Sequence, residues 1–362
     1  MNVQKSKTTK IFRAFAALFF TAALISPVNL SAQTAAVTPH RGMCYATWCR
    51  DRFASEHSDR SLERLREIGA DHLSLVVTQY QDSFNSTEIK RTERTPSDRS
   101  LSHAIKTAKE LGLTVMLKPH IDLIDKHDGS FWRADIGFNN DTDWARWFRN
   151  YRRVIIHYAR LAERTGVEIF CVGTELSFTT QRNDEWVELI REVRKVFSGK
   201  LVYAANWDNF KNVRFWNELD YVGIDAYFPL SYSPDPTLEE LKQGWRKWKN
   251  EIRDWHSTVN KPILFTELGY ASTPSAHYAP WEGGMQGNPD IDIQAMCYEA
   301  FFQTIWNEPW FAGVYWWKWN PNIRSGGQYN RRFTPQNKPA ERIIEAHYKG
   351  PEPRTDRIAL AK

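Results

Sequence analysis

Two glutamates in this chain each follow a threonine at the end of a short apolar run. Glu175 lies near the end of the run 169–176, and Glu267 lies near the end of 263–270. If both runs are strands that end at one edge of a sheet, the carboxylates face each other in a partly desolvated site. Two such carboxylates, one kept protonated by burial and mutual repulsion, can cleave a glycosidic bond. The alternative is that each glutamate caps a helix or pairs with a nearby arginine.

Short β-rich apolar runs alternate with helical patterns along the rest of the chain. The predicted strands span residues 43–48, 72–80, 114–122, 169–176, 201–207, 221–230, 263–270 and 313–319. Strands that alternate with helices pair in parallel through crossover connections. Eight such units predict one α/β domain, a single (β/α)8 TIM barrel, and no glycine-rich phosphate loop follows the first strand.

The helices have recognisable starts and stops. Ser58 is the predicted cap of the first helix, which ends at Gly69, and Ser97 or Asp98 caps the second. A long helix opens at Asp141 or Thr142 and stops at Gly166; further helical patterns cover 183–198, 237–258, 291–308 and 336–348. The long segments 81–97, 123–140 and 271–290 follow the second, third and seventh strands, on the face where such barrels place their active sites.

The first 32 residues have the features of a secretory signal peptide. A basic start that ends at Arg13 precedes a short apolar run, and small residues up to Ala32 follow it. We expect export to the periplasm or the exterior, with a catalytic domain at 36–349 and a flexible tail at 350–362. Residues 1–32 carry four Lys/Arg and no Asp/Glu, so their removal lowers the net charge from +5 to about +1. This excludes a strongly basic nucleic-acid-binding protein, and no second apolar run is long enough to span a membrane.

Four cysteines show no disulfide or metal-ligand spacing. Cys44 and Cys171 fall in predicted strands, where a free buried thiol is common, and Cys49 and Cys297 complete the set. We expect no essential disulfide.

The stretches around both glutamates resemble clan A of the glycoside hydrolases and, within it, family 113, known chiefly for endo-β-1,4-mannanases. The matching stretches are VMLKPHID (115–122), VGTEL (172–176), AANW (204–207), DAYFP (225–229), FTELGY (265–270) and VYWWKW (314–319). The resemblance covers residues 40–348. It implies that Glu175 is the general acid/base, that Glu267 is the nucleophile, and that the anomeric configuration is retained. Much of the clan has Asn immediately before the acid/base, where this chain has Thr174, so Asn206 becomes the candidate for binding the sugar 2-hydroxyl.

A second Glu-containing motif, Asn307-Glu308-Pro309, resembles the Asn-Glu-Pro sequence that many clan members carry at strand four. Here it closes a helical pattern before the eighth strand. We therefore place Glu308 at the bottom of the barrel, away from the site, with Pro309 ending the helix.

Further polar candidates lie on the third and sixth strands. Tyr227 ends the sixth strand and is a candidate hydrogen-bond partner of Glu267, or a core residue. Lys118, His120 and Asp122 share one face of the third strand. They are candidates for holding sugar hydroxyls, and the alternative is a salt-bridged polar layer inside the barrel. His120 and Asp122 with Asp125 and His127 match no compact ligand pattern, so we expect no metal and no cofactor.

Aromatic residues make up 14% of the chain and include 16 Trp. Their broad apolar faces suit sugar rings, although tryptophan-rich cores also exist. Trp317 is the candidate platform beneath the sugar at the cleavage point, and Trp319 is its rival. Trp207 and Trp132 are candidates for lining outer sugar subsites.

The sequence thus predicts a monomer that acts on a polysaccharide or oligosaccharide, with β-1,4-mannan as the first substrate hypothesis. The second keeps the chemistry on xylan, β-glucan or an envelope glycan. A carbohydrate-binding barrel without catalysis and a metal-dependent hydrolase are the remaining alternatives. Since fold alone does not fix the substrate, these stay open at the level of sequence.

Overall fold

The computed structural model describes residues 38–283 and 288–350. Eight parallel strands form a closed barrel in which each strand pairs with its neighbours in chain order and the eighth pairs with the first. This confirms the predicted single (β/α)8 barrel. The predicted signal peptide and most of the C-terminal tail lie outside the described residues. Within the described residues, no helix has both the length and the apolar character needed to cross a membrane.

The strands and helices alternate with one exception. The strands are β1 His40–Tyr45, β2 His72–Gln81, β3 Thr114–Leu123, β4 Ile169–Thr174, β5 Lys200–Asn206, β6 Tyr221–Asp225, β7 Ile263–Leu268 and β8 Phe311–Trp319. The helices are α1 Glu56–Glu67, α2 Asp98–Glu110, α3 Asp141–Thr165, α4 Asn183–Arg194, α5 Leu238–Val259, α6 Ile291–Thr304 and α7 Pro339–Lys349. Between β5 and β6 there are only short 3-10 turns, where the sequence also predicts no helix.

Local capping explains where the helices start and stop. Ser97 caps α2 as predicted, by accepting a hydrogen bond from the Ser100 backbone. Gly166 closes α3 in the left-handed conformation, with a φ of 67°. The prediction of Ser58 as the cap of α1 is wrong, because Ser55 takes that role one turn earlier and Ser58 is buried.

The core has two parts. The larger cluster fills the space between the barrel and its helices. A smaller cluster comes from alternate strand positions and includes Cys44, Met116, Cys171, Leu264 and Tyr315. These side chains fill the barrel interior, as expected for a packed barrel that is not a pore. All four cysteines are free, and Cys49 alone is exposed.

Candidate active site

Glu175 is the residue immediately after β4. Its backbone has a φ of 52°, a left-handed conformation that is uncommon for a non-glycine residue. Its amide donates a hydrogen bond of 2.8 Å to the Ala204 carbonyl of β5, which holds the turn in place. The side chain is buried. Backbone strain of this kind is often found where a side chain is held for function.

Glu267 lies within β7, and its carboxylate is held from two sides. Lys118 Nζ donates a hydrogen bond of 2.6 Å to Oε1. The Tyr227 hydroxyl donates one of 2.8 Å to Oε2. The contact predicted between Tyr227 and Glu267 is therefore present, and both donors stabilise the negative charge of this carboxylate.

Lys118 is buried below the cavity and does not line it. Its side chain is fully buried and also donates to both carboxylate oxygens of Asp225, at 3.0 and 3.2 Å. Burial alone would lower the pKa of Lys118, but the Asp225 and Glu267 carboxylates outweigh it and raise the pKa above its ordinary value. The prediction that Lys118 holds a sugar hydroxyl is thus replaced by the salt-bridged layer given as its alternative.

Arg133 lies in the segment between β3 and α3 and bridges the carboxylates of Glu175 and Asp122. Its guanidinium donates to Glu175 Oε2 and, at 2.7 Å, to Asp122 Oδ1. A third bond of 2.9 Å reaches the Ile121 carbonyl. Asp122 is therefore occupied by Arg133 and does not line the cavity described below.

The environment of Glu175 sets its protonation. Burial raises the pKa of this carboxyl, Arg133 lowers it and the Glu267 carboxylate raises it, which places the pKa at about 7. A substantial protonated fraction near neutral pH is what a general acid requires.

His120 is buried next to Glu267 and does not line the cavity described below. Its Nε2 is 3.4 Å from Glu267 Oε1, but among the described residues this nitrogen has no hydrogen-bond partner. The imidazole is parallel to the Trp317 ring, with an interplanar angle of 9° and 6.0 Å between centroids. Burial lowers the pKa of His120 well below its ordinary value, so the ring is neutral.

A cavity of about 560 Å³ opens above these groups. Its lining residues are Trp132, Arg133, Glu175, Asn206, Trp207, Asp208, Tyr227, Glu267, Trp281, Trp317 and Phe333. Most of the predicted site residues are therefore brought together around one space, which has the size of a small-molecule site.

Trp319 does not belong to this site. It is fully buried, and its indole Nε1 donates to the Ser61 carbonyl of α1 at 3.1 Å. Strand alternation predicts the same face for Trp317 and Trp319. However, β8 advances from Trp316 to Trp319 while β1 advances only from Met43 to Tyr45. The extra residue in β8 inverts the alternation, so only Trp317 faces the cavity.

Glu308 lies between α6 and β8, at the amino end of that strand, as predicted. It forms an ion pair of 2.9 Å with Lys249 and does not line the cavity.

The sequence did not single out four of the lining residues: Arg133, Asp208, Trp281 and Phe333. Asp208 accepts a hydrogen bond of 2.8 Å from Asn206. Their position in the sequence could have indicated them, since all four lie in segments that follow strands on the face of the active site.

Comparisons with known proteins identify a family and similar structures. The sequence model described as Glycoside Hydrolase Family 113 matches residues 43–338. A solved family 113 β-1,4-mannanase complex is 28% identical, with a TM-score of 0.77 over 86% of this chain and 99% of that chain. The family 113 β-mannanase of Alicyclobacillus acidocaldarius is 27% identical, with a TM-score of 0.78 over 87% and 99% of the two chains.

A more distant solved structure shares the fold alone. The endo-β-1,4-mannanase of Thermotoga petrophila is 13% identical, with a TM-score of 0.55 over 86% of this chain and 77% of that chain. No curated protein matches the sequence significantly.

Proposed function

The chain belongs to glycoside hydrolase family 113, and from this membership we propose that it cleaves β-1,4-mannan chains internally by double displacement. The observation that carries the proposal is that Glu175 and Glu267 line one cavity in two different environments. The substrate class is supported by the two similar structures, which are β-mannanases of the same family.

In the first step, Glu267 attacks the anomeric carbon while Glu175 gives its proton to the leaving oxygen. The glycosidic bond breaks, a sugar ester of Glu267 forms, and the leaving chain departs with the proton. In the second step, Glu175 takes a proton from water as the oxygen of that water attacks the same carbon and releases Glu267. Two inversions at one carbon retain its configuration.

The partners of each glutamate suit these roles. Lys118 and Tyr227 stabilise the anionic form of Glu267, which a nucleophile needs. Arg133 stabilises the Glu175 carboxylate that remains after proton transfer. Lys118 and Arg133 therefore act as positioning residues, and the two glutamates react with substrate.

We assign the sugar contacts at the cleavage point to two residues. The Trp317 ring faces the cavity and provides a flat apolar surface for the sugar. The Nε2 of His120 is unpartnered among the described residues and lies beside Glu267, but the side chain is buried and does not line the cavity, so we place His120 below the sugar together with Lys118. Asn206 lines the cavity on β5, next to the strand of Glu175, and stays the candidate for the 2-hydroxyl.

We further propose that residues 1–32 direct export and are removed, and that residues 36–349 form the catalytic domain. Support for the first part is the basic, apolar and small-residue sequence of the segment. Amino-terminal sequencing of the mature protein tests it: a first residue near position 33 supports export with cleavage, and an intact Met1 contradicts it.

Product release from glucomannan, galactomannan, xylan and mixed-linkage glucan tests the function. We expect oligosaccharides from the two mannans with wild-type protein and none with Glu267→Ala. Glu308→Ala is the matched control, because it removes a glutamate outside the cavity and should stay active. Activity on xylan or mixed-linkage glucan alone would contradict the mannan assignment. Full activity of Glu267→Ala would contradict its role as nucleophile.

A further inference from the structure

Exposed apolar side chains are concentrated on one face of the barrel. Among the described residues, the exposed large hydrophobic side chains are Ile124, Phe178, Tyr232, Tyr278, Trp281, Ile323 and Tyr329. Each of them lies in a segment that follows the carboxyl end of a strand. They therefore share the face of the barrel on which the catalytic cavity opens. Of these side chains, Trp281 also lines the catalytic cavity, so it connects the exposed surface to the site.

Trp281 is held in place by a second tryptophan. Its ring stacks on Trp207 with 5.6 Å between centroids and an interplanar angle of 10°. Trp207 in turn packs edge-on against Phe228 and Trp248, and the Trp248 indole donates to the Pro229 carbonyl at 2.8 Å. Trp281 is nevertheless 50% exposed. We name Trp281 and Trp207 together the tryptophan shelf: a supported ring pair that still presents apolar surface to solvent.

One ring of the shelf lies next to the acid. The acid Glu175 follows β4 and Trp207 follows the neighbouring strand β5, whereas Trp281 reaches Trp207 from the segment after β7. Because the acid protonates the leaving oxygen, the departing part of the chain lies on the side of Glu175. The cavity has no lining residue from β1, β2 or the described segments that follow them. At that opposite rim, the Lys318 ammonium covers the Trp48 ring at 3.9 Å.

We propose that the tryptophan shelf binds a sugar in the leaving part of the substrate, beyond the cleaved bond, so that the enzyme favours chains with several sugars on that side. The inference rests on the proposed function and deepens it. A ring whose side chain is already fixed loses little conformational freedom when a sugar stacks on it, so its stacking energy contributes directly to substrate selection.

Two substrates distinguish sugar binding on the leaving side from a general contribution of Trp281 to catalysis. An aryl β-mannobioside has an aryl leaving group and no sugar on the leaving side, whereas mannopentaose can place sugars there. For Trp281→Ala, we expect kcat/KM to fall about fivefold to tenfold on mannopentaose, the effect of one lost aromatic contact. On the aryl mannobioside it should change less than about twofold. Trp281→Phe should restore part of the loss, and Tyr329→Ala is the control for an exposed aromatic outside the cavity.

An equal loss on both substrates would overturn the assignment to the leaving side, and no loss on either would overturn the shelf itself. If wild-type protein cleaves neither substrate, the proposed function fails separately. The shelf is then judged by calorimetric binding of manno-, cello- and xylo-oligosaccharides. Equal affinities of wild type and Trp281→Ala would overturn it.

Discussion

Replacing Arg133 with methionine should shift the pH dependence of catalysis upward. The substitution removes a guanidinium that donates a hydrogen bond to Glu175, and a methionine of similar length fills much of the space. A nearby cation favours the ionised carboxylate and lowers its pKa. Without it, burial and the Glu267 carboxylate act unopposed by Arg133, so Glu175 holds its proton to higher pH.

The size of the shift follows from the geometry of the pair. Both side chains are largely buried, with 15% of Arg133 and 6% of Glu175 exposed. An opposite charge in such direct contact typically lowers a carboxyl pKa by about one to three units. The guanidinium also serves Asp122, so the lower part of that range applies. We therefore expect the pKa of Glu175 to rise from about 7 by about one unit or more.

The assay is the pH profile of kcat/KM on mannan, whose sugar leaving group needs the proton of the acid. The basic limb reports Glu175 in the free enzyme, because activity is lost when the acid deprotonates. Arg133→Lys keeps the charge and should leave the limb near its wild-type position. A basic limb in Arg133→Met that stays in place, or moves to lower pH, would refute the assignment of Arg133 and Glu175.

Three further predictions concern buried groups. Lys118→Met leaves two buried carboxylates without their ammonium and should lower the free energy of unfolding by about 3–5 kcal/mol in urea titrations; a loss below about 1 kcal/mol would contradict the buried layer. Trp319→Ala should cost about 3–5 kcal/mol of stability while KM stays unchanged, whereas Trp317→Ala should weaken catalysis with the smaller stability loss; the reverse pattern would show that their faces are exchanged. Lys338 is buried against the Ser272 hydroxyl and a backbone carbonyl, and burial lowers its pKa to about 7. Between pH 7 and about 10.4, the unfolded chain therefore binds a proton at Lys338 that the folded chain has lost. The free energy of unfolding then rises with pH by about 1.4 kcal/mol per pH unit across that window. Lys338→Met should lack that gain, and parallel stability profiles of variant and wild type at pH 7 to 9 would contradict it.

The parts of the fold that local sequence determines were predictable. Each predicted strand overlaps an observed one because an apolar run bounded by turn residues already favours a buried strand. The positions of the two glutamates near the ends of β4 and β7 were predictable for the same reason. Ser55 and Ser58 show the limit of local reasoning: both are good caps, and the hydrogen bond from Tyr45 that holds Ser58 in the core comes from another element.

The remaining features of the site were not predictable, because they depend on contacts between segments that are distant in sequence. The bulge that turns Trp319 away from the cavity is a property of the pairing between β8 and β1. Arg133 lies 42 positions before Glu175, and only the path of the intervening segment brings them together. Lys118 shares the predicted face of β3 with His120. Its side chain is nevertheless buried below the cavity, where it pairs with Asp225 on another strand.

Trapping of the covalent intermediate tests the central claim most directly. A 2-deoxy-2-fluoro-β-mannosyl fluoride forms the sugar ester but slows its hydrolysis, and peptide mass spectrometry locates the attached sugar. We predict a single adduct on the peptide that contains Glu267, and products whose anomeric configuration is retained by NMR. An adduct on another residue, or inverted product without an adduct, would contradict the assignment of Glu267 as nucleophile and Glu175 as acid/base.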